Sequence, residues 1–158
     1  MAEKQTLREE LAALVAADLD TRERAHRAAR EGATHDEAKP ENDKDTRALE
    51  QSYLARGEAA RVEQLRAALT EVRAMKLRGF GETEPAALGA LVTLEERGEE
   101  LVLWLAPHGG GTRLAGGRVQ VVTPQSPLGR AVLGKRAGEE VTVTLAGRVR
   151  ELSITRVE

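Results

Sequence analysis

The hydrophobic period of this chain changes once, at Gly79-Phe80-Gly81, and that change limits it to two dissimilar parts. From Lys4 to Arg30 there is neither proline nor glycine, and Leu7, Leu11, Leu14, Val15 and Leu19 recur at helical spacing. Ala25 and Ala29 continue the stripe with smaller side chains. The pattern breaks after Gly32, passes Lys39-Pro40, and resumes near Asp43 with Leu49, Tyr53, Val62, Leu65, Leu69 and Val72. Each run has one apolar face and is too polar to be stable as a lone helix, so the economical solution is an antiparallel helical hairpin, a two-stranded coiled coil turning near residues 32–42. The shorter arm spans roughly 40 Å at 1.5 Å per residue. Gly57 costs about 1 kcal/mol against alanine and marks a candidate bend.

Beyond Gly81 the period is two. Leu88–Leu94, Leu101–Leu105, Val119–Val122, Val141–Leu145 and Val149–Val157 predict five strands, with one helix signal at Pro127–Leu133. The expected fold class is α+β: a hairpin domain over 1–78 and, over 82–158, an antiparallel sheet with one helix on a face. Charged residues make up 32% of the chain and aromatics 2%, which suits a long solvated helical element better than a large core. Residues 1–80 hold 15 basic and 16 acidic groups and residues 81–158 hold 9 and 10, so neither part is built to grip nucleic acid by phosphate neutralisation. With no cysteine, disulfides and thiolate zinc sites are excluded. The absence of a signal peptide or a long apolar run points to a cytoplasmic protein without membrane contact.

The stretch from Ser126 to Val141 reads as a short helix entered by a capped turn. Ser126 suits the N-cap and Pro127 the first helical position, Leu128, Val132 and Leu133 form an apolar stripe, and Gly134 ends the helix. Its wording, Ser-Pro-Leu-Gly-Arg-Ala followed by Leu-Gly-Lys-x-x-Gly-x-Glu-Val, resembles the C-terminal domain of the GreA/GreB family of bacterial transcription factors. The resemblance implies an FKBP-like C-terminal domain that docks on bacterial RNA polymerase, with Ser126, Pro127, Leu128 and Gly129 as its candidate docking residues.

Five carboxylates, Asp36, Glu37, Glu41, Asp43 and Asp45, crowd the turn between the helical runs, with Lys39 and Lys44 as nearby counter-charges. On the residues alone this is a solvated charged turn whose acids favour a helix N-terminus. Gre factors carry an acidic residue, a short spacer with lysine, then Glu-Asn at this point. Glu41-Asn42 match the pair, and Asp36 or Glu37 fills the earlier acidic role. The resemblance then implies that the coiled coil enters the polymerase secondary channel, and that Glu37 and Glu41, with Asp36, help hold a catalytic Mg²⁺ and an attacking water. The polymerase itself cleaves backtracked RNA, and the factor is no enzyme. Two metals clamping attacking and leaving oxygens are what such hydrolysis needs, and Mg²⁺ takes only one or two carboxylates from a visiting protein. The same resemblance makes Arg24, Arg27 and Arg30 candidates for contact with the nascent RNA 3′ end. On the residues alone they form an exposed helix face balanced by Glu23 and Glu31. The factor is expected to be a monomer, holding Mg²⁺ only weakly by itself.

Pro40 lengthens the spacer. The acids of the usual cleavage factors are three apart, whereas here Glu37 and Glu41 are four apart and Asp36 and Glu41 five. A displacement near 1 Å can cost about 10²-fold in rate. Two readings therefore stand: a factor that stimulates cleavage, and a regulator that occupies the channel without doing so. The segment Asp45–Ala55 departs from the typical cleavage factors and suggests a divergent branch.

Three other chemistries fall away. His26, His35, Asp36 and Glu37 lack the spacing of a structural zinc site. His108-Gly109-Gly110-Gly111-Thr112 has no Gly-Lys-Ser/Thr ending and leads into no helix, so it reads as a sheet connection. A prolyl isomerase pocket needs an aromatic lining, and the sheet region offers only Trp104.

Overall fold

A computed structural model describes residues 1–36 and 46–158. Two helices come first, α1 (Ala2–Asp36) and α2 (Thr46–Ala74). They are followed by β1 (Leu91–Glu96), β2 (Glu99–Leu105), β3 (Arg113–Leu114), β4 (Val119–Val122), α3 (Pro127–Val132), β5 (Glu140–Leu145) and β6 (Arg148–Val157). The predicted α+β class is the observed one. α1 runs through Gly32, where the spacing predicted its end, because one glycine costs only about 1 kcal/mol in a helix of 35 residues.

The chain divides into two compact units. One is Ala13–Thr70, and the other joins Met1–Ala12 to Glu71–Glu158. In the first, Leu19 of α1 and Val62, Leu65, Ala68 and Leu69 of α2 are buried as the apolar spacing requires. Arg66 donates to Glu23 at 2.7 Å, and Arg22 lies 4.0 Å from Glu58. Leu14, assigned to the apolar stripe, is about half exposed.

The second unit is built on a six-stranded sheet of order β3-β4-β2-β1-β6-β5. Two expectations are corrected here. β1 starts at Leu91, not Leu88, because residues 87–90 close a turn in which Gly89 has φ +91°. The sheet is not wholly antiparallel, since β2 and β4 pair in parallel with Trp104 beside Val121. After β2 the chain crosses to the sheet edge, forms the two-residue β3, and returns as β4 between them. The glycine loop makes that crossing with φ near +88° at Gly109 and +89° at Gly111.

Both faces of the sheet are buried at β1, β2 and β4, whereas β5 and β6 expose Thr142, Thr144, Glu151 and Ser153 on one side. Val92, Leu94, Leu103, Leu105, Val141, Val143, Leu152 and Ile154 share one core with Leu128 and Val132 of α3. Alternation puts Leu91, Thr93, Trp104 and Val121 on the opposite face, also buried. Within this unit Leu7 and Leu11 of α1, Val72 of α2 and Met75 just after α2 are buried. Lys4, 3% exposed, donates at 2.7 Å to the carbonyls of Arg78 and Glu158 and lies 4.7 Å from the Phe80 ring centroid. Burial lowers the Lys4 pKa, partly offset by Glu158.

Candidate functional site

The turn that opens α3 is built from its own residues. Ser126 has extended backbone, with φ −71° and ψ 154°, and its Oγ accepts from the Gly129 amide at 3.2 Å. The same hydroxyl accepts from the Thr123 amide at 3.2 Å and donates to the Thr123 carbonyl at 2.9 Å. Three bonds through one hydroxyl fix the entry angle of the helix. Gly129 is required by contact rather than by φ, since a Cβ there would lie 1.7 Å from the Thr123 carbonyl oxygen. Leu128 points into the core, and Pro127 and Arg130 are exposed. Gly134 ends the motif at φ +78°, and its amide donates to the Ala86 carbonyl at 2.7 Å.

The four candidate docking residues are thus adjacent, with Pro127 the exposed one. Beside the turn lies a cleft of about 500 Å³ lined by Thr123, Pro124, Gln125, Pro107, Leu88 and His108, among others. His108 Nε2 is 2.9 Å from Glu71 Oε2 at its margin. The sequence marks residues 108–112 only as a sheet connection. Nothing in their order reveals that His108 and Gly109 line a cleft with Thr123–Gln125, because the crossover that joins them is a property of the sheet.

At the other candidate site, Asp36 is the last residue of α1, and α2 starts at Thr46. Glu37 and Glu41, with Pro40 and Asn42, lie outside the described residues. Among the described residues no cluster of three or more His, Cys, Asp or Glu side chains can hold a metal ion. Arg24 pairs with Asp20 at 3.0 Å, one turn before it, while Arg27 and Arg30 are exposed. Steps of three residues drift by about 60° on a helix, so the three arginines wind around α1 rather than share one face.

Below the tip the arms do not close. Ala25, Ala29 and Gly32 on α1 face Leu54, Ala55 and Glu58 on α2 across a cleft of about 760 Å³. The thinning from leucine to alanine, legible in the sequence, leaves this space unfilled. Among the described residues no helix is long and apolar enough to cross a membrane.

Residues 83–158 match the family model described as "Transcription elongation factor, GreA/GreB, C-term". Comparison with curated proteins finds no match. Among solved structures the chain is similar to the GreA factor homolog 1 (Gfh1) protein of Thermus thermophilus, at 20% identity, TM-score 0.41, and 93% and 94% coverage of this chain and that one. It is similar to Gfh1 of Thermus aquaticus at 21% identity and TM-score 0.43, with 92% of each chain covered. A GreA/GreB elongation factor from Nitrosomonas europaea aligns at 19% identity and TM-score 0.38, over 59% of this chain and 77% of that one.

Proposed function

We propose, from the premise that residues 83–158 are the C-terminal domain of a GreA/GreB-family transcription elongation factor, that the whole chain acts on RNA polymerase through its secondary channel. The observation that carries this is the order of parts: two long helices with an acidic segment between them in the sequence, then that domain. The domain anchors the factor at the channel mouth, with the turn around Ser126–Gly129 as its docking element. The acidic turn reaches the polymerase active centre, where Asp36, Glu37 and Glu41 offer carboxylate oxygens. Mg²⁺, when bound there with polymerase carboxylates and the RNA phosphate as its main ligands, would supply the Lewis acid for hydrolysis. Asp36, Glu37 and Glu41 would offer oxygen ligands to that ion and a hydrogen-bond acceptor for the attacking water. Arg24, Arg27 and Arg30 then lie near the extruded RNA 3′ end.

Backtracked elongation complexes with Mg²⁺ test this. The factor should shorten the RNA faster than the factor-free rate, and Glu41→Ala should abolish the stimulation while leaving polymerase binding nearly intact. RNA shortening no faster than without the factor overturns cleavage stimulation. A second reading rests on Pro40 and the four- and five-residue spacings it imposes. In that reading the protein occupies the channel and blocks nucleotide entry or alters promoter complexes while cleavage stays flat. Failure to compete with any channel-binding factor rejects both readings.

A further inference from the structure

α2 carries a second apolar face that its own hairpin does not use. Leu54, Ala55 and Glu58 line the cleft toward α1, and Val62, Leu65 and Leu69 continue that side as buried residues. At 100° per residue, Leu49, Tyr53 and Ala60 fall on roughly the opposite side of the helix, and Gly57 lies on its flank, about 60° from Leu54. Leu49 is 60% exposed and Tyr53 67%. Arg56 stacks over the Tyr53 ring at 5.9 Å from its centroid. No contact among the described residues requires glycine at position 57. A Cβ there would meet nothing within 4 Å, and a mid-helix glycine costs about 1 kcal/mol against alanine. A glycine facing solvent between exposed apolar residues lets another side chain approach the backbone closely.

The face is complementary to itself. Its first half carries the knobs Leu49 and Tyr53, and its second half the hollows Gly57 and Ala60. In an antiparallel pairing of two α2 helices, one register sets Tyr53 over Gly57 and Leu49 over Ala60 of the other copy, in both directions at once. Glu50 and Arg61 lie eleven residues apart, about three turns, hence on the same edge of the helix. A two-fold antiparallel pairing brings like edges together, so this register also sets Glu50 against Arg61 of the other copy. Neither residue has an ion-pair partner among the described residues.

We propose that the outer face of α2 from Leu49 to Arg61 is a self-association surface, docking antiparallel on the same face of a second copy. The patch is about three turns long, so the dimer is weak and concentration-dependent. The proposal does not depend on the transcription reading. While the dimer persists, the outer face of the first half of α2 is covered.

Sedimentation velocity over a rising concentration series tests it, with circular dichroism to confirm helix content. The full chain should shift from monomer toward dimer. Tyr53→Asp should weaken the dimer tenfold or more, and Tyr53→Phe should keep it. Gly57→Leu should raise thermal stability and yet weaken the dimer, a combination that a purely structural glycine would not give. Because the chain has no cysteine, Tyr53→Cys and Gly57→Cys chains can be mixed, and the 53–57 disulfide should form between them. A chain that stays monomeric at every concentration overturns the proposal, as does a dimer indifferent to Tyr53→Asp. A monomer whose Tyr53→Asp variant loses polymerase affinity assigns the face to polymerase instead.

Discussion

Gly129 and Ser126 set the geometry of the turn before α3, and their substitution costs differ for physical reasons. Gly129→Ala places a methyl 1.7 Å from the Thr123 carbonyl oxygen, a backbone atom with no freedom to move aside. It should destabilise the protein by about 3 kcal/mol or more in thermal or urea unfolding. Ser126→Ala loses the cap and should cost about 1 kcal/mol. The serine cap was legible from Ser126-Pro127, since the motif is local. The need for Gly129 was not, because the obstructing atom is known only once the turn is folded. Across the sheet, Arg150 donates to both carboxylate oxygens of Glu96 at 3.0 and 2.9 Å. That hydrogen bonding holds the Glu96 pKa below its ordinary 4.5. The folded state therefore releases the proton more readily than the unfolded chain, so the pair stabilises above pH 4.5 and the gain is lost as pH falls through the folded value. The difference in melting temperature between wild type and Glu96→Gln should shrink below that pH.

Helices and strands were largely visible in the period of the sequence, because each buries one face and so repeats at 3.6 or 2 residues. β3 was not, since Arg113 and Leu114 are too few to have a period. The parallel pairing of β2 with β4 was equally hidden, because alternation reports which face a residue takes and not which strand lies beside it. The crossover loop that produces this order packs tightly on α1. A Cβ at Gly109 would come within 2.7 Å of Leu11 Cδ1, and the residue has φ +88°. Gly109→Ala should destabilise by about 1–3 kcal/mol in chemical unfolding. Adding Leu11→Ala should remove the clash but not the backbone strain, so the double variant should lose less than the sum of the two single changes. Strict additivity would mean that loop and helix do not press on each other.

At the scale of the whole molecule, the order of parts was legible, while the arrangement of the acids in the turn was not. Asp36 belongs to α1, while Glu37 and Glu41 lie outside the described residues. A short segment that offers two or three carboxylates is far from six oxygen ligands with a supporting shell. Titration calorimetry on the free protein should show only weak Mg²⁺ binding, and the protein mixed with naked RNA and Mg²⁺ should leave the RNA intact. Tight stoichiometric binding would assign the metal site to this chain rather than to the polymerase. The central claim is that the acidic turn reaches the polymerase active centre, and one measurement addresses it whether or not cleavage is stimulated. With no native cysteine, Asn42→Cys gives a single attachment point for a short crosslinker at the turn. Mixed with RNA polymerase, this variant should form adducts within the catalytic centre, next to the residues that hold the polymerase's own Mg²⁺. Adducts confined to the outer surface of the polymerase, or none, would contradict the account.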